Sequence, residues 1–208
     1  GRPGPTLLDL PDDLQRVYID PSKLKSFKIK NKKITNINNK VLNTISLMAK
    51  SKRPVIIVGN GVNISRSKQK LDKFLKKTNI PFAPTWATID LYPPKTKNFI
   101  GSFGVAATRH GNFVIQNSDL LICLGTRLSY QLTGSDKTSF APNAKKIVVD
   151  IDKFEIKKTN SVKIDLSINS CVSDFFNLIN KHKFILKKKE ISKWIFWIND
   201  IKKKISNM

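Results

Sequence analysis

The chain of 208 residues reads as an α/β fold, a parallel sheet of buried strands with helices on both of its faces. Three observations predict it. Short continuous apolar runs, closed by glycine or by acids, recur at 54–59, 119–125 and 146–151, the pattern of strands buried on both sides. Amphipathic stretches with helical spacing alternate with those runs. Strands that alternate with helices need crossover connections, and crossovers give parallel pairing.

Taken in order, residues 1–15 place three prolines and two glycines around Leu7-Leu8-Asp9-Leu10, which reads as a loop, a short buried strand and an exit turn at Pro11-Asp12. Residues 16–36 are rich in lysine, carry Pro21 and lack periodicity, as a connector does. Val41, Leu42, Ile45 and Met48 recur at helical spacing and predict a helix over 38–50. The run Pro54 to Gly59 is the first core strand. Leu71, Phe74 and Leu75 share one face of a helix over 66–78, and 80–84 is a shorter strand interrupted by proline. A short helix over 109–117 precedes the strand at 119–125, and the strand at 146–151 ends on acids. Val172, Phe175, Phe176 and Ile179 face inward from a helix over 170–182. The tail, 190–206, is helical, with Ile191, Trp194, Ile195, Ile198 and Ile201 in one stripe that should dock on something. The core over about 40–182 is thus Rossmann-like.

The composition excludes several classes. Forty per cent of residues are apolar, enough for a core. No apolar run approaches the length of a membrane span, and no signal-peptide core is visible. Cys123 and Cys171 cannot form a disulfide framework, and no Cys/His spacing suggests zinc. The net charge of +23 invites nucleic acid, but only Arg2, Arg16, Arg53, Arg66, Arg109 and Arg127 are arginine. Guanidinium groups dominate base and phosphate contacts, and no aromatic residues are interleaved with the basic runs. A solvated basic surface, with neither nucleic acid nor membrane as partner, is the expectation.

Ligands of open parallel sheets bind at the carboxyl ends of strands, and three segments fall there. Gly59-Asn60-Gly61 is either a tight turn or a place for phosphate to approach the backbone; the turn is favoured, because Ile64 breaks the G-x-G-x-x-G pattern. Arg127, in Gly125-Thr126-Arg127-Leu128-Ser129, suits a phosphate or carboxylate, or an ion pair with Asp150 or Asp152. Asp150 is read as a ligand group and Asp152 as a helix cap. No catalytic set assembles. His110 and His182 lack nucleophilic partners; His110, at a helix start, is either a ligand contact or a partly exposed structural histidine, the latter favoured, and His182 is solvated. Cys123 is an inert core thiol.

The stretches Gly1-Arg2-Pro3-Gly4-Pro5 with Leu8-Asp9-Leu10-Pro11-Asp12-Asp13, then Arg53-Pro54-Val55 to Gly61, then Phe113-Val-Ile-Gln116-Asn117-Ser118-Asp119 through Gly125-Thr126-Arg127 resemble one family. With Phe140-Ala141-Pro142 and Asp150-Ile151-Asp152 they follow the order and spacing of thiamine-diphosphate-dependent enzymes, the acetolactate synthase group above all, over roughly 1–180.

That resemblance implies a piece of a three-domain enzyme. Residues 1–20 would end an N-terminal pyrimidine-binding domain, 21–37 form a linker, 38–183 a six-stranded central domain, and 184–208 a helical link toward a C-terminal diphosphate-binding domain. The enzyme would decarboxylate a 2-keto acid and transfer the acyl carbanion. It would use thiamine diphosphate and Mg²⁺ held mostly outside this chain, as a cytoplasmic homodimer or homotetramer. The fragment alone would not be catalytic. The alternatives are a stand-alone nucleotide-binding module and a non-catalytic structural subunit. An FAD or ADP site carried over from the family would use Arg2, Gly59, Gly61, Thr85, Trp86, Phe103, Gly104, Gly125, Thr126, Arg127, Asp150 and Ile151, with Glu155. The family has Gly-Met-His-Gly where Gly104-Val105-Ala106-Ala107 stands here, and acidic and Arg residues at the Ser129 and Gln131 positions. Polar partners lost at ~1–2 kcal/mol each predict weak or absent FAD.

Overall fold

The computed structural model describes residues 4–28, 36–157 and 162–206. Two compact units are present, Gly1–Ile34 and Thr35–Met208. Part of the lysine-rich connector, and Arg2 among the candidate site residues, lie outside the described residues.

The first unit holds a four-residue helix α1, Asp12–Gln15, and a 3₁₀ turn, Pro21–Lys23, capped by the Asp20 carboxylate. No strand forms at Leu7–Leu10, which corrects the sequence expectation. A strand needs a partner edge, and Gln15 Nε2 instead donates to the Leu10 carbonyl at 2.7 Å.

In the second unit, helix α2 (Asn38–Lys50) leads into β1 (Pro54–Val58). The short α3 (Gly61–Ile64) and then α4 (Lys68–Thr78) lead to β2 (Phe82–Pro84). After a 3₁₀ segment, Trp86–Leu91, come α5 (Arg109–Gln116) and β3 (Leu120–Leu124). The short α6 (Tyr130–Thr133) precedes β4 (Lys145–Asp150), and α7 (Lys153–Ile156) precedes β5 (Leu166–Asn169). Helices α8 (Val172–Ile179) and α9 (Lys188–Ser206) complete the unit.

All strand pairs are parallel, in the order β2-β1-β3-β4-β5. The pleat sends alternate residues to opposite faces, and two cores result. Ile56 and Val58 of β1 pack with Val41, Leu71, Phe74, Val172 and Phe176 from α2, α4 and α8. Val55 and Ile57 pack with Val114, Ile115, Trp194 and Ile198 from α5 and α9. At the amino edge of the sheet, the Asp119 carboxylate accepts from the Ser51 hydroxyl and from the N–H groups of Lys52 (2.8 Å) and Arg53 (3.0 Å). That fixes the starts of β1 and β3 side by side.

Five strands are present among the described residues rather than six. The place of a sixth, beside β2, holds a single bridge, Phe82 to Phe99. Asn98 at φ +62° and Gly101 at φ +87° flank it, and left-handed residues stop an extended run from lengthening.

Candidate functional site

The strand order turns back at β1, which has β2 on one side and β3 on the other, so the crevice of such a sheet lies beyond the carboxyl ends of β1 and β3. The loops that follow carry Gly59 and Gly61 (after β1), Thr85 and Trp86 (after β2), Gly125, Thr126 and Arg127 (after β3), and Ile151 just past Asp150 (after β4). Phe103 and Gly104 belong to a separate loop that enters α5.

At the turning point the two loops interlock. The Gly59 N–H donates to the Leu124 carbonyl and the Gly61 N–H to the Gly125 carbonyl, both at 2.9 Å. A Cβ on Gly61 would lie 2.6 Å from the Gly125 Cα, and one on Gly125 would lie 2.5 Å from the Gly61 Cα. Gly125 itself sits at φ +59°. These glycines let backbone meet backbone where the loops after β1 and β3 cross. The Val62 N–H also turns back, onto the Gly59 carbonyl at 3.0 Å, and α3 is a single turn.

One strand further on, a narrow cleft lies between the ends of β3 and β4, lined by Thr126, Arg127, Leu128, Val148, Asp150, Glu155, Ile156, Val162 and Ile164. Arg127 is exposed at its mouth and forms no ion pair with Asp150 or Asp152. Asp150 is 8% exposed, and its Oδ1 accepts from the Asp152 N–H at 2.9 Å, which turns its own loop. Asp152 caps α7 by accepting from the Phe154 N–H at 2.9 Å, as its position predicts. The Asn169 side chain donates to the carbonyls of Asp150 (3.1 Å) and Ile151 (2.9 Å) and fixes that loop from β5.

Thr85 is buried, its N–H on the Val58 carbonyl at 2.9 Å, while Trp86 beside it is 47% exposed. The Phe103 ring is fully buried, 6.3 Å from the Phe140 ring. Gly104, at φ +114°, is gripped on both backbone groups by the Asn112 amide, at 2.8 and 3.0 Å. The next N–H, of Val105, donates to the Gln131 carbonyl at 2.9 Å. Nothing in the sequence pattern marks Asn112 or Asn169 for this work. Each satisfies main-chain groups that only the fold brings near.

Burial shifts two of the groups singled out in the sequence. Burial pushes the Cys123 thiol up to about 12, so it stays protonated and inert. Burial, and then the charge of Lys202, hold His110 below its ordinary value. Among the described residues, no group of three His, Cys, Asp or Glu side chains could hold a metal ion. No helix among them is long and apolar enough to cross a membrane.

A parallel sheet in this order, with helices around it, defines a doubly wound, Rossmann-like α/β domain. Residues 41–177 match the model of the family described as thiamine pyrophosphate enzyme, central domain, and the chain belongs to that family. It is similar to a "Probable acetolactate synthase large subunit" of Methanococcus aeolicus, 34% identical over 98% of this chain and 36% of that relative. It is also similar to the acetolactate synthase large subunit of Corynebacterium glutamicum, 31% identical over 97% of this chain and 32% of that relative. With the isozyme 2 large subunit of Escherichia coli it shares 32% identity over 80% of this chain and 30% of that relative. The chain thus spans about a third of the length of the curated relatives it matches. A stand-alone nucleotide-binding module is not favoured.

Proposed function

We propose that this chain is the central part of an acetolactate synthase-like enzyme that decarboxylates a 2-keto acid and transfers the acyl unit that remains. The observation that carries this reading is the 34% identity maintained over 98% of the chain to a relative with that name. Thiamine diphosphate, when bound, supplies the electron sink that decarboxylation of a 2-keto acid requires. Residues outside these 208 hold it with Mg²⁺ in this reading. The work of this chain is to hold position. Its loops are fixed by Asn112, Asn169 and the glycine contact between β1 and β3, which gives a stiff body on which neighbouring domains are oriented. The enzyme is proposed to work as a cytoplasmic homodimer or homotetramer.

The test is pyruvate consumption by the full-length protein with and without thiamine diphosphate and Mg²⁺, beside the 208-residue piece. Turnover by the full-length protein that depends on both cofactors, with none from the piece, is expected. A full-length protein that gains no thermal stability from thiamine diphosphate with Mg²⁺ would refute the proposal.

A further inference from the structure

We infer that this family member carries no FAD in its central domain, and that the crevice where a flavin dinucleotide would lie is instead a structural joint. The inference rests on the family reading above. A dinucleotide needs glycines that clear space for its diphosphate, N–H groups that point at it, and a slot for its ring system. Much of this is committed elsewhere here. The space beside Gly59, Gly61 and Gly125 is filled by the opposite loop: a Cβ on Gly59 would lie 2.3 Å from the Gly125 carbonyl oxygen. The N–H groups of Gly59, Gly61, Val62 and Gly125 all donate to main-chain carbonyls, at 2.8–3.0 Å. These three glycines therefore need no ligand to explain them.

The neighbouring ground is closed in the same way. A Cβ on Gly104 would lie 2.6 Å from the Gln131 carbonyl oxygen, and the Val105 N–H and the Asn112 amide seal that contact. Phe103 is turned into the core. The β3–β4 cleft encloses about 10 Å³, whereas ligand sites run to roughly 300–1,000 Å³. A flavin would therefore find no space at the β1–β3 joint or at the Gly104–Gln131 contact.

The experiment uses the full-length protein purified from a host rich in flavin. Flavin released on denaturation is measured per chain, and thermal unfolding is followed with added FAD and, separately, with thiamine diphosphate and Mg²⁺. No flavin above background and no shift with FAD are expected. Stoichiometric flavin, or a raised Tm on adding FAD, overturns the inference. The thiamine diphosphate arm reports on the proposed function alone, so failure of either reading shows in its own signal.

Discussion

Gly125 combines two demands that few positions make together, a left-handed backbone at φ +59° and a backbone neighbour that cannot yield. Its missing Cβ would lie 2.5 Å from the Gly61 Cα. Gly134 shares the positive φ without the second demand, since nothing lies within 4 Å. At φ +80° and ψ 172° Gly134 lies in a region that is essentially glycine-only, so Gly134→Ala should cost about 1–3 kcal/mol from the backbone alone. Gly125→Ala should lose at least ~2 kcal/mol more, as overpacking costs do. Urea unfolding of the two variants measures the difference, and equal losses would mean that the joint is soft. Glycine in the sequence signals that something comes close, not what. Gly59 and Gly61 are compatible in sequence with a phosphate, and the structure adds a close backbone neighbour, Gly125. Lys146 hid in the opposite way. A lysine opening an apolar run looks solvated, yet it is 5% exposed and donates to the carbonyls of Ala141 (2.8 Å) and Ala144 (2.9 Å).

Among the elements, α9 shows what a helical stripe can and cannot tell. Its spacing placed Ile191, Trp194 and Ile198 on one face, and all three are buried. What the spacing could not reveal is the partner, the α5 side of the sheet, where Trp194 Nε1 donates to the Pro54 carbonyl at 3.3 Å and the ring stacks on Trp197 at 4.9 Å. Trp194→Ala should therefore cost about 3–5 kcal/mol. Phe196→Ala, on the same helix at 78% exposure, should stay within about 0.5 kcal/mol. Chemical denaturation of both variants checks this, and similar losses would mean that α9 does not dock as described. Strand β5 escaped the sequence reading for a physical reason: only Ile168 of its four residues is buried, so an edge strand lacks the apolar run that marked β1, β3 and β4. The stretch Leu7–Leu10 erred the other way, with apolar residues but no edge to pair with.

For the whole molecule, 38 cations face 15 anions, and several of the described lysines have found partners other than carboxylates. The ion pairs among the described residues are local, each between residues three or four apart. Several lysines that tie distant elements donate to carbonyls instead: Lys40 to Ser167 at 2.7 Å, Lys187 to Lys50 at 2.9 Å, and Lys202 to Phe99. Such bonds keep one charge but need no counter-charge, so salt weakens them little. Repulsion among the remaining lysines is long-ranged and is screened. Between about 10 mM and 0.1 M salt the Debye length falls from about 30 Å to about 10 Å. The local pairs lose at most a few tenths of a kcal/mol each, while the self-repulsion of a chain at +23 is relieved throughout the surface. Tm should therefore rise with salt over this range. Thermal unfolding at the two ionic strengths decides it. A falling Tm would mean that charge pairing, and not carbonyl capture, holds this basic chain together.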